Sequence, residues 1–210
     1  MIPKILHFIW VGDESKRPDK LINTWRTMHP NWDIKVWGNH DYNSIDWINK
    51  HFMKIYFEKY LCGVADLMRY EILYQYGGIT VDADSICVDA IDDFMLNNQI
   101  FAAWESEVAR PGLIWNGTIG CVKGNDFIYN VINEVDPNLV STDIHPWISV
   151  GPLHLTNCFQ RHAYTALEIY PSYYFTPEHH TGIKYNGHGK IYAHQFWGST
   201  KQISQYLCDI

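Results

Sequence analysis

The sequence has no apolar run near the roughly 20 residues that a membrane-crossing helix needs, and its start, "MIPKILHFIWVGD", lacks a cationic leader and a small-residue cleavage site. A chain without membrane anchor, working in the cytoplasm (the host's, for a viral protein), is the expectation. Cysteines are few: Cys62, Cys87, Cys121, Cys158 and Cys208 form an odd, scattered set with no C-x-x-C. Neither a disulfide framework nor a zinc ribbon follows from that set, and a reducing compartment is the simpler inference. Basic residues are also short, 16 Lys and Arg against 23 Asp and Glu, for a formal charge of −7. That balance speaks against a nucleic-acid partner, which calls for a basic face. A phosphate-bearing small molecule stays open where a metal and a few local cations supply the countercharge.

What is present fits one globular domain. Hydrophobic residues make up 47% of 210, charged ones 19%, with no repeat, no low-complexity stretch and no linker long enough to divide the chain. A monomer or weak dimer is expected.

Residues 4 to 11 read as a buried strand, followed by the polar loop "GDESKRPD". Leu21, Ile22, Trp25 and Met28 recur at helical spacing from Lys20, Pro30 ends the pattern, and "DIKVW" at 33 to 37 gives a second strand. An aromatic-rich helical region covers roughly 44 to 60. "CGVADLMRYEILYQYGG" then suits a half-buried helix stopped at Gly77. Further strands are expected at 100 to 104 and 118 to 122, and a helix over about 125 to 134; the last third has weak periodicity. The order β-α-β and onward predicts an α/β fold.

After the Gly-Gly pair, Ile79, Val81 and Ala83 alternate with Thr80, Asp82 and Asp84. An extended backbone there points both carboxylates to one side, about 7 Å apart from Cα to Cα, so that they converge on one ion. A D-x-D alone is a weak signal, since fifteen aspartates give about one such pair by chance. Asp66 and Arg69, three apart on one face of the preceding helix, strengthen it; their bland alternative is an exposed ion pair. Transfer from a diphosphate-activated donor needs these groups. Carboxylate oxygens hold Mn²⁺ or Mg²⁺, the ion offsets charge on the leaving diphosphate, and an arginine fork binds phosphate or sugar oxygens.

"GVADLMRYEILYQYGGITVDADS" resembles the motif of the DXD-containing sugar transferases, the family 32 glycosyltransferases with yeast-type α-mannosyltransferases, and their relatives the clostridial glucosylating toxins. Asp66, Arg69, Tyr70, Leu73, Gly77, Gly78, Asp82 and Asp84 occupy that pattern at its spacing. "IPKILHFIWVGD" is similar to the group's first strand, "WNGTIGCVKGN" to its asparagine segment, "VGPLHLT" to its Gly-Pro segment, and "HQFWGST" to its carboxy-terminal His…Ser motif, though Thr200 stands where the family has tryptophan. The short length is similar to compact bacterial and chlorella-virus-encoded transferase domains.

The resemblance implies a GT-A fold, a single Rossmann-like domain whose mixed central sheet is flanked by helices. Residues 1–95 would form the nucleotide-sugar half, ending in the D-x-D motif, and 96–210 the acceptor side. It further implies a UDP-sugar or similar donor, a glycan or glycoprotein acceptor, dependence on Mn²⁺ or Mg²⁺, and retention of anomeric configuration. By the same resemblance Asp84 contacts the metal and Asp82 contacts the donor's ribose or sugar, with the ion as a further contact, while His194 is a candidate third ligand whose alternative is a surface or core histidine. Arg69 and Asp66 meet the sugar or diphosphate. Trp10, flanked by Ile9 and Val11, lies against the base, and Asn116, Trp197 and Ser199 line the donor site. Trp147, Trp104 and Tyr173 are candidates for an acceptor surface, with core packing as their alternative. Two other functions fit D-x-D: a phosphatase of the haloacid-dehalogenase type, which carries it on the first strand rather than about 80 residues in, and a Ca²⁺-dependent sugar-binding module, which needs neither Arg69 nor a nucleotide pocket.

Overall fold

The computed structural model describes residues 1–209. In chain order its elements are β1 (Ile5–Ile9), α1 (Asp19–Met28), β2 (Asp33–Trp37), α2 (Asn39–Ser44), α3 (Lys50–Tyr56), α4 (Leu61–Tyr76), β3 (Gly78–Val81), β4 (Ser85–Cys87), α5 (Asp93–Leu96), β5 (Ile100–Ser106), β6 (Arg110–Cys121), α6 (Asp126–Asn133), α7 (Pro146–Ser149), α8 (Pro152–His162), β7 (Leu167–Tyr170) and β8 (Ala193–Gln195). Six strands form one sheet in the order β2-β1-β3-β6-β5-β7. β1 runs parallel to β2 and β3, β6 is antiparallel to both β3 and β5, and β5 is parallel to β7. The mixed α/β architecture agrees with the expectation from sequence.

Both faces of the sheet are covered, so its central strands read as continuous apolar runs rather than alternating ones. On one face Phe8, Ile79 and Val81 pack with Trp25 of α1; on the other, Ile100, Ile119 and Cys121 pack with Tyr70 and Leu73 of α4 and with Phe127 of α6. A third cluster fills the space beneath α3 and α4 around Trp37, Tyr56 and Met68. No helix among the described residues is long and apolar enough to cross a membrane.

α4 ends where the sequence predicts, at a glycine pair. Gly77 and Gly78 have φ of +65° and +94°, and a Cβ at Gly77 would lie 2.6 Å from the Lys123 backbone nitrogen. Only glycine combines that conformation with that closeness, and it is this step that delivers α4 directly into β3. Beside it sits His7, fully buried: its Nδ1 accepts from the Trp37 indole N–H at 3.1 Å, so its Nε2 carries the proton and donates to the Gly77 carbonyl at 2.9 Å. Burial pushes its pKa down to about 4. Below about pH 6.5 the unfolded chain gains a proton that folded His7 refuses, so stability is expected to fall between pH 6.5 and 4, by on the order of 3 kcal/mol from this group. Buried Glu71, whose pKa burial raises, pulls the other way. Urea midpoints at pH 7 and 4.5 for wild type and His7→Gln isolate the imidazole: the variant should lose less on acidification, and equal losses would refute the assignment.

Three local expectations are corrected. The helical region over 44 to 60 is two helices, α2 beginning earlier and α3 following a break. Glu71 of α4 accepts from the backbone N–H groups of Ile48 and Asn49 at 2.7 and 2.9 Å, satisfying the donors that open α3. The last third contains α8, begun by Pro152 at its first turn. Most important, the strand before the acidic pair stops at Val81, and Asp82-Ala83-Asp84 is a turn rather than extended chain. Asp82 N–H makes a last bond to the Gly117 carbonyl at 3.0 Å, and the Ser85 hydroxyl closes on the Asp82 carbonyl at 2.7 Å. The chain then leaves the main sheet, and β4 pairs with β8 in a small antiparallel sheet of its own.

Candidate active site

The turn opens into a cavity of about 560 Å³, within the size range of small-ligand sites. Its lining reaches from Ile9 to Ser204, so both halves of the chain build it. Helix α4 brings Asp66 and Arg69 to its floor at i, i+3, their facing atoms 4.0 Å apart. Arg69, only 5% exposed, donates from Nη1 to the Asn116 carbonyl at 2.6 Å and from Nη2 to Asp82 Oδ1. Asn116 of β6 in turn donates from Nδ2 to Asp66 Oδ1 at 2.8 Å. The aspartate on the turn is therefore locked to helix and sheet through one guanidinium. Arg69 Nε, buried, has no partner among the described residues.

Asp84 is fixed from the other end of the chain. Its Oδ2 accepts from the Gly198 backbone N–H at 2.5 Å, its Oδ1 from Gln195 Nε2 at 2.8 Å, and its carbonyl from Phe196 N–H at 2.9 Å. Gln195 Nε2 also lies 3.4 Å from Asp82 Oδ2. Both carboxylates thus converge on one point, as expected, although by a turn and not by strand alternation. Two glycines make room: a Cβ at Gly117 would stand 2.5 Å from Asp82 Oδ2, and one at Gly198 3.0 Å from Asp84 Oδ2.

Crowding of acids in a half-enclosed place has an electrostatic signature. Burial, and after it the Asp82 charge, push Asp84 up to about 6. Burial drives Asp66 up to about 7, against the pull of Arg69. For Arg69 burial works against the charge, but Asp82 and Asp66 outweigh it and raise its pKa. Such shifts in a cleft mark a functional site.

The fit of a divalent cation can be judged from the donor set. Asp82 and Asp84 present hard oxygens around a point held by a polarised N–H, and Gln195 Oε1 is buried with no partner among the described residues. Turning that amide end for end would place a third oxygen toward the same point, a set suited to Mg²⁺ or Mn²⁺. His194 is not brought there. It lies on the exposed side of β8, opposite Ile86, because neighbours in a strand point to opposite faces and Gln195 takes the inward one.

Ile9, Trp10, Val11, Trp197 and Ser199 all line the cavity, as does Trp147. Trp10 is anchored by its indole N–H to the Asp13 carbonyl at 2.9 Å, and Trp197 likewise to the Glu178 carbonyl at 2.9 Å. Trp104, paired with Ile114 of β6, instead packs half-buried against the core, and Tyr173 stacks on Tyr185 at 3.9 Å, both away from the lining. The sequence reading missed Gln195, Glu105, Arg110 and His180, which also line it. No local pattern marks them; they meet only when β5, β6 and the carboxy-terminal segments fold together.

Residues 15–102 match the family described as the glycosyltransferase sugar-binding region containing DXD motif. The chain is 27% identical over 164 residues to inositol phosphoceramide mannosyltransferase 3 of Schizosaccharomyces pombe, covering 74% of this chain and 44% of that protein. It spans between about a quarter and a half of the length of the curated relatives it matches. The UDP-bound glycosyltransferase domain of the YGT toxin superposes with a TM-score of 0.58 at 8% identity, covering 80% of this chain and 79% of that one. A glycosyltransferase involved in the glycosylation of the major capsid of PBCV-1 gives 0.52 at 8% identity over 98% of each chain. At such identities the likeness is one of fold, and the fold is GT-A.

Proposed function

From the premise that residues 15–102 are a sugar-binding region of the DXD-containing glycosyltransferase type on a GT-A fold, we propose that the chain transfers a sugar from a UDP-sugar to a glycan or glycoprotein hydroxyl, with Mn²⁺ or Mg²⁺. The observation that carries this reading is the convergence of Asp82 and Asp84 on one point beside a buried arginine.

Asp82 and Asp84, with Gln195 Oε1, would hold the cation, which when bound offsets charge on the departing diphosphate. Arg69 contributes in two ways. Its fixed charge would meet phosphate or sugar oxygens, and its Nε, without a partner among the described residues, is a donor still to be satisfied. Asp66, tied to Asn116, keeps an oxygen for a sugar hydroxyl. Trp10 offers the uracil ring a flat face that loses little rotamer freedom on binding, with Ile9 and Val11 beside it. Trp197 and Ser199 close the carboxy-terminal wall. We read the transfer as retaining, with the acceptor hydroxyl entering on the leaving-group side and its proton passing to the departing phosphate; trapping a glycosylated Asp or Glu of this chain would overturn that step.

A thermal-shift panel of UDP, GDP, free sugars and Mn²⁺ tests the reading. UDP at 100 times its dissociation constant adds about 2.7 kcal/mol to the native state, which for a chain of this size raises Tm by roughly 5–10 °C. The shift is expected with UDP and Mn²⁺ together and should be much smaller with either alone. A shift with free sugar and none with UDP would favour the binding module, and metal-dependent phosphate release from simple monoesters without nucleotide would favour the phosphatase.

A further inference from the structure

Next to the cavity, and separate from the aspartate pair, three side chains cluster with metal-ligand chemistry: Glu105 of β5, His179 and His180. Their ligating atoms all lie within 4.8 Å of one another. Glu105 and His179 are buried, and His180 is half-buried and lines the cavity beside Glu105. We propose that Glu105, His179 and His180 bind a second divalent ion of the Zn²⁺ class, with its fourth position open to the cavity.

The ligand types fit. Two neutral imidazoles and one carboxylate with an open position are an established zinc arrangement, whereas Mg²⁺ and Mn²⁺ favour the all-oxygen set at the aspartates. Free valences fit too. The known partners of Glu105 both use one oxygen: His179 Nε2 lies 3.2 Å, and Arg110 Nε 3.4 Å, from Oε1. Among the described residues Oε2 accepts no hydrogen bond, and neither ring nitrogen of His180 has a partner.

His179 has an outer-sphere support already in place. Its Nδ1 lies 2.8 Å from the Thr181 hydroxyl and 3.3 Å from the Thr181 N–H. With Nδ1 accepting that N–H, the ring proton sits on Nε2 and is donated to Glu105. Ligation through Nε2 moves the proton to Nδ1, where the Thr181 hydroxyl accepts it, so the ring stays neutral. A metal-bound histidine whose other nitrogen is so fixed is the usual pattern. For bonds of about 2.0–2.1 Å, ligand atoms in a tetrahedral site stand about 3.3 Å apart, so with all separations within 4.8 Å no pair has to close by more than about 1.5 Å. His180, half-buried, is the side chain able to move. Arg110, whose guanidinium lies 4.8 Å over Trp147, can remain on Oε1 while Oε2 meets the ion. Trp197 lies 5.2 Å from both histidine rings, so the ion would brace the wall that carries Gly198 and its bond to Asp84.

Calorimetric titration of Zn²⁺ alone into the chelator-stripped chain tests the site, using wild type, Asp84→Asn and His180→Ala. One equivalent of Zn²⁺ is expected to bind wild type and Asp84→Asn alike, and His180→Ala is expected to weaken it by at least about tenfold. Co²⁺ should give the intense visible bands of tetrahedral coordination in the first two proteins and not in the third. Circular dichroism confirms that His180→Ala is folded; if it is not, Glu105→Gln, of the same size, takes its place with the same expected loss. No Zn²⁺ binding to wild type, or binding that Asp84→Asn removes, or binding that the cluster variant leaves unchanged, overturns the proposal.

Discussion

Asp84→Ala is expected to lower donor cleavage and sugar transfer by roughly 10³-fold or more while the protein stays folded. The size follows from what is removed. A carboxylate that neutralises a cation at a developing diphosphate contributes several kcal/mol to the transition state, and each 1.4 kcal/mol is about a factor of ten. Stability should change little, because two effects oppose each other. The variant leaves the Gly198 N–H and the Gln195 amide without their acceptor, but it relieves the repulsion from Asp82 that helps to push Asp84 up to about 6. Asp84→Asn separates charge from shape: it should keep the Gly198 contact and lose turnover just as far. Steady-state UDP-sugar hydrolysis with saturating Mn²⁺, beside a thermal melt, measures both. Wild-type turnover in either variant would remove the central part of the proposed mechanism.

Arg69→Ala is expected to damage both folding and binding. Among the described residues the guanidinium is the one cation paired with both Asp66 and Asp82, and it also ties α4 to the Asn116 carbonyl on β6. Removing one partner of a buried ionic network leaves uncompensated charge, at a cost of about 3–5 kcal/mol, or roughly 6–20 °C in Tm for a chain of this length. Without Arg69 the Asp66 carboxyl, already at about 7, is raised further and takes up a proton at neutral pH. Arg69→Lys restores a positive charge but not the fork that reaches Asn116 and Asp82 together. It should recover much of the Tm and little of the UDP affinity. A melt of Arg69→Ala within about 2 °C of wild type would show that the network carries no such load.

The parts of the site that were legible in advance share a property: their geometry is set within one element or across one short connection. Asp66 and Arg69 meet because three residues return to the same helical face, and the Gly-Gly step places the acidic pair just after that helix whatever the rest of the chain does. Trp10 could be placed at the end of β1 for the same reason. The resemblance then supplied roles that local pattern could not, and Asn116, Trp197 and Ser199 do lie at the cavity. Where the reading went astray, a distant contact decided. His194 and Gln195 are equivalent candidates in a two-residue stretch of weak periodicity, and only the pairing of β8 with β4 turns the glutamine inward. Trp104, Tyr173 and Trp147 look alike as aromatics, yet packing against the core, stacking on Tyr185 and exposure to the cavity separate them.

By itself the sequence determined the class of the fold, the order of its first elements, the glycine step and the two acid-bearing segments, because these follow from short-range periodicity and from backbone conformations open only to glycine. Tertiary structure decided that the acidic pair lies in a turn between two sheets, that Gln195 faces it, and that Glu105, His179 and His180 meet beside it. The first two outcomes depend on the pairing of β4 with β8 and the third on a side-chain contact 74 positions apart, and the free energy that selects such contacts is spread over the whole core rather than written in any local stretch.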